Sequence, residues 1–287
     1  MNPIRFQRIL DGPTVAAVHR DLLVPNFPVT ELVDVDELIS EVTDGAASMI
    51  VAADDDGPAG TAVFGGAGGV AILSYLAVGG SRRSGGVGGK LLDGAIDMWA
   101  DDPTIRLVVA EVERPDLHEA SAEHGDPERR VRFYARHGGR ALNLPFFQPS
   151  ITAGMPREHG MLLVVLYADG AITVGDGSRL TPEGTALLRR FLISYVGEPE
   201  SEDEAAQRLF AALDAQPDGV RLVALGDYSE SRIDRVTDRY RRPRTHRSRR
   251  VWSGNERQDA EDARRSPRWS GSPRPVREVH DGRSPRR

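Results

Sequence analysis

The chain contains no cysteine and only one lysine, Lys90. Without cysteine there is no disulfide framework, no thiolate metal site and no cysteine nucleophile. The near-absence of lysine, set against many arginines, glycines and alanines, reflects GC-rich coding rather than a functional choice. Long apolar runs are also missing. The longest, Met161 to Ala168, is far too short to span a bilayer, and the N-terminus MNPIRFQRIL has no apolar h-region. A soluble, cytoplasmic protein with no membrane association is expected. At 287 residues, the chain is long enough to bury a sizeable core in one large or two small domains.

The net charge of −6 hides a split. Residues 229–287 carry 18 arginines against 9 acidic residues, which leaves 19 of the 37 basic and 34 of the 43 acidic residues in 1–228. Beyond Ser229 aliphatic residues almost vanish, and Arg, Ser, Pro and Asp dominate. Such a segment cannot bury enough apolar surface to offset its ordering entropy, so a disordered tail is expected. Its arginines alternate with acids and it has little aromatic platform beyond Tyr240, Trp252 and Trp269. Binding of nucleic acid or another anionic partner is therefore an accessory role at most.

The organising stretch is VAILSYLAVGGSRRSGGVGGKLLDGAIDMW, Val70 to Trp99. Val70 to Val78 is a β-rich apolar run and reads as a buried strand. A loop dense in glycine follows. From Val87 the apolar residues fall at Val87, Leu91, Leu92, Ala95, Ile96 and Trp99, the spacing of a helix. A strand, glycine loop and helix in that order aim free backbone N–H groups and the positive end of a helix dipole at one spot. The P-loop pattern fails at Ser84 and Leu91, and the dinucleotide pattern fails at Leu91.

A third pattern fits. Arg83-Ser84-Gly85-Gly86-Val87-Gly88 has the form Arg/Gln-x-x-Gly-x-Gly/Ala, and a longer pattern lands in register on Val78 to Leu92. This resembles the acyl-CoA site of the GNAT superfamily of N-acyltransferases, with departures at Gly80, Ser84 and Gly85. Arg132-Phe133-Tyr134-Ala135-Arg136-His137-Gly138 is similar to a second motif of that family, departing at His137 and Gly139. The resemblance covers roughly residues 4–167.

The resemblance implies an α/β (α+β) fold with a mixed, central twisted sheet and flanking helices. It implies direct transfer of an acetyl group from acetyl-CoA, as acyl donor and without a metal, to a primary amine. The implied cofactor-binding residues are Leu76, Ala77, Val78, Arg83, Ser84, Gly85, Gly86, Val87, Gly88 and Gly89. Tyr134 would protonate the leaving thiolate; Glu111, at a strand end, is the candidate base. Asn26, Phe27 and Glu31 are candidates for contact with the acceptor by position alone. Two other readings stay open: a catalytically inactive CoA-binding sensor or partner protein, and anion or nucleic-acid binding through the tail.

Elsewhere the sequence reads as strands over Ile4–Leu10, Ser48–Ala53, Ala59–Phe64, Ile105–Val112, Arg140–Phe146, Met161–Tyr167 and Val220–Leu225. Helices are expected after Asp11-Gly12-Pro13, over Val35–Val42, from Asp126-Pro127 to His137, and over Ala186–Val196. A further helix is expected from a capping box at Ser201 and Glu204. His118 and His124 read as solvated loop residues. The expected organisation is an acyl-CoA-binding domain over 1–168, a small packed segment over 169–228, and the tail. A chain ending at Tyr228 should melt cooperatively and still bind coenzyme A by calorimetry. Loss of folding on that truncation would overturn the disorder assignment.

Overall fold

The computed structural model describes residues 4–55, 57–82, 86–121, 125–149, 157–199 and 203–228. The expected tail, His124 and the loop residues Arg83, Ser84 and Gly85 lie outside the described residues, as does Ser201.

A single mixed sheet runs through the molecule. Its strands are β1 (Arg5–Ile9), β2 (Ser48–Asp54), β3 (Gly57–Ala67), β4 (Val70–Val78), β5 (Leu107–Glu113), β6 (Arg140–Leu142), β7 (Phe146–Gln148), β8 (Glu158–Ala168) and β9 (Leu222–Ala224). The spatial order is β1-β2-β3-β4-β5-β8-β6-β9, with β7 also pairing with β8. Neighbours are antiparallel except β4 and β5, which are parallel. Parallel neighbours need a crossover, and α3 (Val87–Ala100) supplies it. The α/β sheet with flanking helices matches the expected fold class.

Helices cover both faces. On one side α3 and α4 (Pro127–Arg136) pack over a core that includes Leu91, Leu92, Trp99, Val131 and Tyr134. The other side has two cores. Near β1–β4 lie α1 (Gly12–Val18), a π-helical turn over His19–Leu23 and α2 (Val35–Thr43), packed on Met49, Val51, Val63 and Ala77. Near β5–β8 lie α5 (Pro182–Val196) and α6 (Glu204–Asp214), whose Leu188, Phe191, Leu192 and Phe210 pack on Val109, Leu163 and Val165.

Most elements fall where the sequence places them, with three corrections. The run Arg140–Phe146 is two strands, β6 and β7, because Asn143 to Pro145 leave the ladder. Asn143 N–H turns instead to the Arg221 carbonyl at 2.9 Å, and Pro145 has no N–H to give. The cap of α6 is Asp203, whose carboxylate accepts from the N–H groups of Ala205 and Ala206. His118 is not solvated: it is half-buried, with Nε2 2.9 Å from the His159 carbonyl oxygen.

Residues 169–228 share the main sheet and core, since β9 extends the β6 edge and α5 lies under β5 and β8. The end of this segment is pinned. Arg114, just past β5 and 1% exposed, donates Nε–H and Nη2–H to Asp116 at 3.1 and 2.7 Å. Its guanidinium lies 5.5 Å from the Tyr228 ring centroid, and the Tyr228 hydroxyl donates to Asp116 at 3.1 Å. Because Leu188 is fully buried between α5 and the sheet, Leu188→Ala should cost about 2–5 kcal/mol. It should shift one cooperative calorimetric transition; a second, separate transition would show that 169–228 folds on its own.

Candidate functional site

The site begins with an extra residue. In Val70–Val78, Leu73 belongs to the core under α3 and α4, while Tyr75 and Ala77 belong to the core under α1 and α2. Strict alternation would put Leu73 and Tyr75 on one face. The pairing explains the exchange: Phe64 pairs with Leu73 and Val63 with Tyr75, so Ser74 is left over as a β-bulge and is exposed. A bulge bends its strand and increases its twist. The β4–β5 ladder accordingly stops at Leu73 and Ala110, although both strands continue, to Val78 and Glu113. Past that point the two parallel strands diverge. Among the described residues, the edge of β4 over Leu76, Ala77 and Val78 that would face β5 has no ladder partner, and such a row of backbone groups can pair with an amide-bearing ligand.

At the end of that edge sits the N-terminus of α3. Five of the six α-helices among the described residues have side-chain caps: Asp11, Asp34, Asp126, Thr181 and Asp203 accept from first-turn N–H groups. The exception is α3. Its cap position is Gly86, left-handed at φ 72°, which offers no side chain. Lys90 makes the first helical bond, to the Gly86 carbonyl at 3.1 Å, so the N–H groups of Val87, Gly88 and Gly89 have no partner within the helix. Gly88 brings the turn close to the strand end: a Cβ there would lie 3.3 Å from Val78 Cγ2 and 4.0 Å from Phe133. Gly89 admits the His137 ring, which a Cβ would meet at 2.8 Å, and His137 Nδ1 lies 2.6 Å from Asp93 on α3.

The approach to the loop is braced by a residue the sequence reading did not single out. Arg82 forms a two-point ion pair with the buried Asp54, at 2.8 and 3.0 Å. No motif marks the pair, which joins the β2–β3 turn to the turn after β4.

On the α3–α4 face the Tyr134 ring is buried and packs edge-on against Phe133 at 5.2 Å. Burial pushes its phenol up to about 12, against a smaller downward pull from Arg130. On the opposite face, one residue beyond the last β4–β5 pair, stands Glu111. The Gln148 amide donates to its Oε2 at 2.8 Å, while Oε1 is sealed from solvent and, among the described residues, has no hydrogen-bond partner. Burial raises this carboxyl to about 8, opposed by Tyr195 and Gln148. An orphaned acceptor of this kind is costly unless a ligand or proton satisfies it.

Two of the three acceptor-side candidates, Phe27 and Glu31, meet at Tyr75. Phe27 meets its ring edge-on at 5.1 Å, and the Tyr75 hydroxyl donates to the Glu31 carbonyl at 2.9 Å while accepting from Val33 N–H at 3.1 Å. Asn26 instead closes the preceding turn, its amide donating to the Leu22 carbonyl at 2.7 Å. Tyr75 is the organiser of this wall, hidden from sequence reading inside an apolar strand. Burial, the largest influence, raises its phenol; the Val33 N–H lowers it, and Glu41, Glu31 and Glu37 add smaller upward pushes.

No family model matches the chain, and a search of curated proteins finds no match either. Among solved structures, it is similar to a protein of Bacteroides thetaiotaomicron described as a GNAT-family acetyltransferase. The identity is 25%, over 68% of this chain and 100% of that one, with a TM-score of 0.49. It is also similar to an acetyltransferase of Salmonella typhimurium solved with acetyl-CoA, at 17% identity over 58% and 95% of the two chains and a TM-score of 0.42. The strand order, the crossover helix and the divergence of β4 from β5 are observed in this chain itself.

The orphaned carboxyl has a consequence for stability. A Glu111 carboxyl that titrates near 8 when folded and near ~4.3 when unfolded binds its proton more tightly in the native state. Its contribution is full below the unfolded value and is lost as pH rises through about 8, at up to about 1.4 kcal/mol per pH unit. Melting curves of the wild type and Glu111→Gln should therefore diverge between pH 4 and 9, with the variant gaining relative stability at the alkaline end. Parallel curves across that range would show that the carboxyl is not desolvated.

Proposed function

We propose that this chain is an N-acetyltransferase that moves an acetyl group from acetyl-CoA to a primary amine by direct transfer in a ternary complex. The observation that carries this reading is the divergence of β4 from β5. Among the described residues, it leaves the end of β4 without a ladder partner on the side of β5, next to Glu111 with its unpartnered Oε1 and to the α3 N-terminus, where Gly86 gives no side-chain cap. The edge suits the amides of a pantetheine arm. The first turn of α3 suits a pyrophosphate, since converging N–H groups and the helix dipole favour negative charge. Arg83, Ser84 and Gly85, outside the described residues, would complete that cradle.

In this reading the acceptor enters on the face walled by Phe27, Tyr75 and Glu31, and its nitrogen meets Glu111 Oε1. The nitrogen lone pair forms a bond to the thioester carbonyl carbon, and the carbonyl oxygen takes up negative charge against a backbone N–H of β4. The departing N–H proton passes to Glu111. When the carbon–sulfur bond breaks, its electron pair goes to sulfur, which takes the Tyr134 phenolic proton; solvent restores that proton afterwards. The elevated Tyr134 phenol stays protonated through the working range, as an acid must. Glu111, near 8, becomes a base as pH rises through that value, so transfer should quicken over the same interval.

The test combines binding with turnover. Saturating acetyl-CoA should raise the melting temperature, because a ligand that binds only the native state stabilises it. Thiol release should then be followed against a panel of amines, and the kinetics repeated with Tyr134→Phe. The variant should keep its acetyl-CoA affinity and lose about 10²–10⁴-fold in the rate constant for transfer. No thermal shift and no calorimetric heat would overturn the reading as a whole. An unchanged turnover number, with transfer rate-limiting, would leave Tyr134 a packing residue.

A further inference from the structure

The two oxygens of the Glu111 carboxyl are unlike. From β7, the Gln148 amide donates Nε2–H to Oε2 at 2.8 Å, across 37 positions of sequence. Oε1 is sealed from solvent and, among the described residues, has no hydrogen-bond partner. Val109, two residues back on β5, belongs to the core beneath α5 and α6, so strand alternation puts Glu111 on that face. Phe146 and Phe147 of β7 pack into the same core, immediately before Gln148.

The sheet holds Gln148 in place. Phe146 pairs with Met161 and Gln148 with Glu158, so β8 advances three residues while β7 advances two. Gly160, in the stretch that takes up the excess, is left-handed at φ 72°. Its carbonyl accepts from Arg114 N–H at 3.0 Å, and a Cβ there would lie 2.8 Å from Leu117 Cδ1, so the loop leaving β5 braces the irregularity. Beside Gln148, the buried Phe147 ring lies 4.8 Å from the Arg157 guanidinium. A neutral amide suits a base. A cation at contact distance would hold the carboxylate ionised but lower its basicity by roughly one to three units, whereas an amide meets the charge at a smaller loss. Among the described residues, burial, the Tyr195 phenol and Gln148 govern the protonation of Glu111, and no cation is among them.

We propose that Gln148 is a positioning residue for Glu111: its N–H holds Oε2 and leaves Oε1 as the oxygen that exchanges a proton with the acceptor. The proposal rests on Glu111 serving as the base. When the carboxyl is protonated, the N–H is best met by the carbonyl oxygen, which puts the acid proton on Oε1. When it is ionised, the same N–H meets part of the charge at Oε2, and the lone pairs of Oε1 are those free to take a proton. Once the acceptor nitrogen has bonded to the thioester carbon, its N–H bond breaks. The bonding pair stays on nitrogen and the proton joins Oε1. The contact with Gln148 persists through both states, so the carboxyl need not rotate to change its role.

The first measurement needs neither acetyl-CoA nor an acceptor. The full chain is labelled with glutamate carrying ¹³C at the carboxyl, and the Glu111 signal is assigned by its loss in Glu111→Gln. Its titration is then followed in the wild type, Gln148→Met and Gln148→Glu. Methionine keeps the length of the side chain and removes the donor, so the midpoint should move up by about one unit or more. Glutamate sets a second carboxyl against the first, so the two signals should titrate together in two steps, the upper one above the wild-type midpoint. An unmoved midpoint in folded Gln148→Met, or a Glu111 signal that titrates independently in Gln148→Glu, overturns the proposal and leaves Gln148 a packing residue. Neither result bears on the acetyl-CoA thermal shift, which tests the transferase reading separately. With an acceptor in hand, the acid limb of kcat/KM for Gln148→Met should move to higher pH by the same amount, with KM for acetyl-CoA unchanged. A shifted titration beside an unshifted rate profile keeps the contact, removes Glu111 as base and overturns the positioning role in catalysis.

Discussion

The site depends on one residue too many in a strand. Ser74 has no opposite number on β3, and accommodating it turns β4 out of the ladder it shares with β5. A regular parallel pair would satisfy every backbone group along both strands and leave nothing for a ligand. The bulge trades a few inter-strand hydrogen bonds for a row of donors and acceptors that, among the described residues, has no ladder partner in the interior of the sheet, where edges are otherwise rare. Two other features gain their meaning from it. The glycine at the α3 cap position would be a merely weak helix start elsewhere, and Glu111, already paired with Leu163 of β8, would be paired with β4 as well.

The large elements were legible because their signals are local. Val70–Val78 and the helix from Val87 announce themselves by apolar run, glycine punctuation and helical spacing, and both appear where the sequence places them. The bulge was not legible. Eight of the nine residues of VAILSYLAV are apolar or aromatic, so no alternation reveals that the register slips at Ser74. Tyr75 was hidden for the same reason. The hydrogen bond from Gln148 to Glu111 could not be found because the two lie on separate strands 37 positions apart and no local pattern links them. Asp203 in place of Ser201 at the start of α6 is a milder case: both offer a capping oxygen, and position alone decides between them.

The three cores divide the labour of holding this arrangement. The core beneath α3 and α4 sets the distance between the end of β4 and the first turn of the helix, through Val78, Gly88 and Phe133. The core beneath α5 and α6 packs the helices on β5 and β8 and seats the Tyr195 ring on Phe191. Desolvating a carboxyl without a cation is a standing cost to stability, and the apolar packing of α5 offsets it.

The anchorage of Tyr228 has a further consequence. Arg114, Asp116 and Tyr228 lock the last described residue to the loop leaving β5, three positions beyond Glu111. The chain therefore leaves the described residues at a fixed point, beside the loop that follows β5. The net charge of +9 that the sequence places in residues 229–287 is thus joined to the sheet at a defined position rather than through a loosely held terminus.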